Sequence, residues 1–79
     1  MHLLLLPDVL HGQGWDELYT YDEVSGDIEQ IDVLPHGEFA QWCADNGIQL
    51  RPVKDHWWMH EVRLDDASNE AFLVKMRWM

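Results

Sequence analysis

The sequence predicts a small α+β domain, a mostly antiparallel sheet of about five to six strands with one helix packed on one face, in the order β-β-β-α-β-β-β. Three observations predict it. Short stretches in both halves alternate apolar with polar residues, one stretch near the middle switches to helical spacing, and Gly, Pro, Asn and Asp punctuate the intervals between them. The chain of 79 residues makes a single domain, residues 1–79, because so short a chain has no room for a second core.

Residues 2–6 read as a buried strand closed by Pro7, and a loop over 11–14 (His11, Gly12, Gln13, Gly14) follows. Residues 17–22 and 27–33 are two alternating stretches joined by Glu23-Val24-Ser25-Gly26, in which Gly26 can supply the positive φ of a hairpin turn. The register of this hairpin stays open, since Tyr19 and Tyr21 alternate cleanly whereas Ile28 is out of phase with Ile31 and Val33. Over residues 37–45, Phe39, Trp42 and Cys43 share one helical face, with Ala40 and Ala44 beside it. Asn46-Gly47 stops that helix, as glycine just past a helix end commonly does. Residues 48–53 read as a strand that Pro52 places at an edge.

A second hairpin is expected at the end of the sequence, because one register accounts for both of its faces. Leu64 opposite Phe72 sets Val62 against Val74, His60 against Met76 and Trp58 against Trp78, which makes a core face. The same register puts Glu61 opposite Lys75 and Met59 near Arg77 on the reverse face. Since neighbours on a strand point to opposite faces, Trp57 then stands on the reverse face with Met59, Leu73 and Met79.

Composition narrows the class of function. With the single cysteine Cys43 the chain closes no internal disulfide, so apolar packing must hold the core. Five tryptophans, two tyrosines and two phenylalanines provide it, each burying on the order of 150 to 250 Å². The apolar start, residues 1–6, is broken by Pro7 and Asp8 and is far shorter than the ~20 residues that span a bilayer. No basic residue precedes its leucines and no small-residue cleavage site follows, so a cytosolic protein with no membrane partner is expected.

Candidate chemistry is sparse. His56 and His60 have the spacing of two zinc ligands on a helix, yet on a strand at roughly 3.3 Å per residue they stand about 13 Å apart, too far to share one metal. Cys43 with His36 as its base would make a thiol nucleophile, but Cys43 shares the apolar face of Phe39 and Trp42, where cysteine behaves as a small hydrophobe. Gly12-Gln13-Gly14 lacks the strand and helix of a phosphate-binding loop. No catalytic residue, metal site or cofactor is therefore assigned, and a metal or thiol enzyme is the weakest reading.

Charge is the strongest signal, with fifteen acidic against five basic side chains and a net charge of −10. Residues 1–50 hold ten carboxylates (Asp8, Asp16, Glu17, Asp22, Glu23, Asp27, Glu29, Asp32, Glu38 and Asp45) and no Lys or Arg. Ordinary surfaces intersperse the two signs. A one-signed field repels nucleic acid and anionic lipid and steers towards basic surfaces, so no direct binding to nucleic acid is expected and a basic protein partner is favoured. The expected acidic face is Asp16, Glu17, Asp22, Glu23, Asp27, Glu29 and Asp32, and an apolar anchor of Trp57, Met59 and Arg77 is the second candidate surface.

In length, net charge, tryptophan content and lack of a catalytic set, the whole chain resembles the small proteins by which bacteriophages block host defence, anti-CRISPR proteins above all. The resemblance implies a stoichiometric inhibitor in the cytoplasm of a bacterial host cell, and the chain is expected to be a monomer. It would bind a Cas subunit, at its DNA- or guide-binding surface as a DNA mimic or elsewhere as an allosteric ligand. An immunity protein or antitoxin that neutralises a basic nuclease toxin would need the same charge complementarity and is the alternative.

Overall fold

The computed structural model describes residues 1–7 and 14–79, and of Trp57 the backbone alone, so the expected loop over residues 11–14 lies, but for Gly14, outside the described residues. The described elements are β1 (His2–Pro7), β2 (Trp15–Tyr21), β3 (Ile28–Pro35), α1 (Glu38–Asp45), β4 (Arg51–Val53), β5 (His56–Arg63) and α2 (Asn69–Trp78). The strands form one antiparallel sheet in the order β3-β2-β1-β5-β4. β1 takes the centre because its leucine run is apolar on both faces, as a central strand requires.

Pairing assigns the two faces. Leu3 stands between Thr20 and Val62, and Leu5 between Leu18 and His60, so these residues share one side of the sheet. Leu3, Leu5, Leu18, Leu34 and Val62 meet Phe39, Cys43, Ile48, Val74 and Trp78 in a single core. Both helices thus cover the same face. The opposite face presents Leu4, Leu6, Glu17, Tyr19, Tyr21, Met59 and Glu61, and no described helix crosses it.

The first hairpin forms where the alternation places it, and a bulge resolves its register. Leu18 pairs with Asp32 while the adjacent Tyr19 pairs with Gln30, which leaves Ile31 as the extra residue. Ile31 packs against the core margin, and Ile28 falls opposite Tyr21 on the face away from the helices. That is why Ile28 is out of phase with Ile31 and Val33.

At the end of α1, the amide of Ile48 donates to the Cys43 carbonyl at 2.8 Å and that of Gly47 to the Ala44 carbonyl at 3.3 Å. This is a Schellman cap, and Gly47 supplies its φ of 68°. Ile48 then drops into the core rather than opening a strand, so the expected strand over 48–53 contracts to the three-residue β4 at the sheet edge, with Pro52 in it.

The largest correction concerns residues 69–78, which form a second helix and not the last strand of a hairpin. Ser68 caps it, its Oγ accepting from the Ala71 amide at 3.1 Å, with Glu70 in the first turn and Lys75 and Arg77 in the last. Ala71, Val74 and Trp78 face inward at helical spacing. The pairings of Leu64 with Phe72, Val62 with Val74, His60 with Met76, Trp58 with Trp78 and Glu61 with Lys75 are therefore not made. Phe72 and Met76 instead face solvent at 61 % and 69 % exposure. Neither described helix is long and apolar enough to cross a membrane.

Candidate functional site

The hairpin between β2 and β3 builds the acidic part of the surface. Asp22 organises its turn, its amide donating to the Asp27 carbonyl at 2.9 Å and its carbonyl accepting from Gly26 at 2.7 Å. The Asp22 carboxylate also accepts from the amides of Val24 at 2.9 Å and Ser25 at 3.3 Å, and these backbone bonds hold its pKa below the usual aspartate value. The sign follows from linkage: this contribution is complete above the ordinary aspartate range and is lost as pH falls below it.

The turn folds against the end of the sheet through a chain of ion pairs. Arg63 Nη1 meets Glu23 Oε1 at 2.8 Å, and its Nε lies 3.6 Å from Glu61. His2, with only 8 % of its side chain exposed, has Nε2 3.0 Å from Glu61 Oε2, and its Nδ1 faces Glu23 Oε1 at 3.2 Å outside hydrogen-bonding geometry. The Tyr21 ring closes on His2 edge-on at 5.2 Å. Across the gap, the amino group of Met1 pairs with Asp66 at 2.8 Å and holds that carboxyl below the usual range.

Beside these ion pairs lies an open cleft of about 660 Å³ lined by Asp22, Glu23, Asp27, Glu29 and Asp66 along with His2 and Arg63. Five carboxylates face two fixed cations, Arg63 and the Met1 amino group. Such a concave excess of negative charge focuses field on an approaching lysine or arginine.

Of the seven acids expected on one face, the structure brings together Asp22, Glu23, Asp27 and Glu29. Glu17 is on the sheet face away from the helices, accepting from the Tyr19 hydroxyl at 2.8 Å; that bond raises the phenol's pKa. Asp32 is exposed on β3 and accepts from the Val33 amide at 2.8 Å. Asp16 is a correction, because it is 1 % exposed and cannot meet a partner. Its Oδ1 lies 2.9 Å from His36 Nδ1 and its Oδ2 accepts from the Gly37 amide at 2.9 Å, so it pins β2 to the β3–α1 junction. The sequence carried the signal: Asp16 is two residues from Leu18, hence on the core face.

The expected anchor of Trp57, Met59 and Arg77 does not assemble. Met59 is half-buried on the face of β5 away from the helices, whereas Arg77 belongs to α2 on the other side of the sheet. There Arg77 lies over the Trp78 ring at 4.3 Å and 4.0 Å from Glu38. The Trp57 side chain lies outside the described residues.

The enzyme candidates take ordinary structural places. His36 is 70 % exposed and engaged by Asp16, while Cys43 is buried in the core, where desolvation pushes its thiol up to about 11. At neutral pH it is a thiol and not the nucleophilic thiolate. Native protein at pH 8 should therefore leave an aromatic disulfide reagent unreacted over minutes, and protein in urea should release about one equivalent; fast reaction of the native state would contradict this burial. Among the described residues no group of three or more His, Cys, Asp or Glu side chains is arranged to hold a metal ion. Comparison with protein-family models, with curated proteins and with solved structures gives no match to the chain.

Proposed function

We propose that this protein is a non-catalytic binding protein that occupies the basic, nucleic-acid-binding surface of another protein and so inhibits it. The observation that supports this most is the gathering of Asp22, Glu23, Asp27, Glu29 and Asp66 round one cleft, in a chain whose first fifty residues hold no Lys or Arg. A partner surface evolved to hold phosphates offers clustered cations to such a cleft. The finer reading is an anti-CRISPR-like protein of a phage or mobile element, with a Cas effector subunit as partner in the cytoplasm of a bacterial host. An immunity protein would use the same complementarity and would be encoded beside its toxin, so gene neighbourhood separates the two.

The test is charge reversal at residues that leave the fold intact. Asp27 and Glu29 are exposed and lie outside the Glu23–Arg63–Glu61 ion pairs. Asp27→Lys with Glu29→Lys should slow association with a purified effector about tenfold at low ionic strength and flatten its dependence on salt. Equal association rates and equal salt slopes for variant and parent would remove the charge-based reading.

A further inference from the structure

We infer that the hairpin half of β3 is an acceptor edge for an extended, basic segment of the partner, which adds to the sheet as a further strand. This rests on the reading of the acidic cleft given above and specifies how that cleft engages its partner. β3 lies at the outer edge of the sheet, with β2 on its inner side. The direction of its backbone groups follows from two separate bonds. Asp22 N–H donates to the Asp27 carbonyl, which makes that a bonded pair; in an antiparallel ladder bonded and non-bonded pairs alternate, so Thr20 and Glu29 are bonded and Tyr21 and Ile28 are not.

The far side of the sheet gives the same answer. Met1 and Leu64 exchange both of their bonds, at 2.7 Å and 2.8 Å, so Leu3 with Val62 is the next bonded pair and the groups of Leu4 turn towards Tyr19. Tyr19 is thereby committed to Leu4, and Gln30 opposite it must point away. The N–H and C=O groups of Ile28 and Gln30 therefore face outward from the sheet.

The other half of β3 is closed by three devices. The Ile31 bulge interrupts the edge, the Asp32 carboxylate takes the Val33 amide, and Pro35 has no amide to offer. The open stretch is confined to the part that borders the acidic cleft.

Charge selects the occupant. A second copy pairing here would bring Glu29 and Asp27 against the same acids of a chain that already carries −10, which guards the edge against self-association. A basic strand meets the opposite condition. Its residue facing Glu29 would carry the cation, and its neighbours would lie beside Ile28, whose side chain is 58 % exposed on the other face. Lys or Arg alternating with β-branched residues is the pattern that fits, with main-chain bonds holding the segment and side chains selecting it.

The probe is an acetylated, amidated heptapeptide of alternating lysine and valine, titrated into isotope-labelled full chain at low ionic strength and followed by NMR. Strand addition predicts that amide exchange slows about tenfold or more at Ile28 and Gln30 but not at Val33, and that the N-methylated peptide binds about tenfold more weakly. Binding that leaves both amides unchanged and is equal for the N-methylated peptide would overturn strand addition while leaving the charge-based function standing. Equal binding of a glutamate–valine counterpart would overturn the charge selection. Failure of every basic peptide to bind would overturn this inference and the acidic-cleft reading together.

Discussion

Asp16→Ala is expected to lower the stability of the domain by about 2 to 4 kcal/mol, since a hydrogen bond to a charged group contributes roughly 1.5 to 3 kcal/mol and Asp16 makes two. A chain of this size has only about 4 to 12 kcal/mol in total at the usual ~0.05 to 0.15 kcal/mol per residue, so the loss would be visible in a urea midpoint at constant slope. The larger part comes from Gly37, whose amide is left without its acceptor at the entry of α1. His36 is mostly exposed and recovers its bond from water in the Asp16→Ala protein, whereas His36→Ala takes one partner from the buried Asp16 carboxylate and should cost about 1 to 2 kcal/mol. Asp16→Asn keeps an acceptor for Gly37 and should fall between the two. An Asp16→Ala protein within about 0.5 kcal/mol of the parent would mean that the carboxylate is not a structural pin.

Trp78→Ala should cost about 3 to 5 kcal/mol, the range for emptying a large aromatic site in a packed core. Its ring lies edge-on to Phe39 at 5.4 Å and to Trp42 at 5.7 Å, so it locks α2 against α1 over the sheet. A contrast within α2 makes the test sharper. In a helix Val74 faces inward and Phe72 outward, so Val74→Ser should destabilise strongly while Phe72→Ser should stay within about 0.5 kcal/mol. In a strand the two would share one face and respond alike. Equal, large effects at Phe72 and Val74 would therefore restore the hairpin and contradict the helix.

The contrast shows why one end of the chain misled. Residues 72–79 are apolar on nearly every side, with Phe72, Leu73, Val74, Met76, Trp78 and Met79, so periods of two and of 3.6 both find matches there. The deciding signs lay upstream: Ser68 followed by Asn69 and Glu70 is a helix start, and Lys75 with Arg77 suits a helix end. Elements with their own punctuation were legible, including β1 before Pro7, the hairpin turn at Gly26 and α1 stopped by Asn46-Gly47. The strand after α1 was overread, because Ile48 is apolar for the sake of a helix cap and not of a sheet face.

The candidate site was legible in charge and less so in position. Of the acids in the half without Lys or Arg, four line one cleft, where Arg63 and the Met1 amino group stand against them. Chain distance could not reveal that Asp66, His2 and Arg63 complete it, since these come from the two ends of the sequence. Arg63 in particular binds Glu23 across the sheet, so part of the negative charge is already compensated within the chain. Asp16 had to be subtracted because alternation sets it beside Leu18 on the core face.

The most direct test of the central claim is a pull-down with the tagged full chain from bacterial lysate containing a CRISPR effector. Washes would step the salt, an excess of duplex DNA would challenge the bound fraction, and the Asp27→Lys, Glu29→Lys variant would run alongside. The parent is expected to capture a basic nucleic-acid-binding subunit that salt and DNA each release, and the variant to capture about tenfold less. Capture that resists both salt and DNA and is equal for the variant would contradict the acidic cleft as the binding surface.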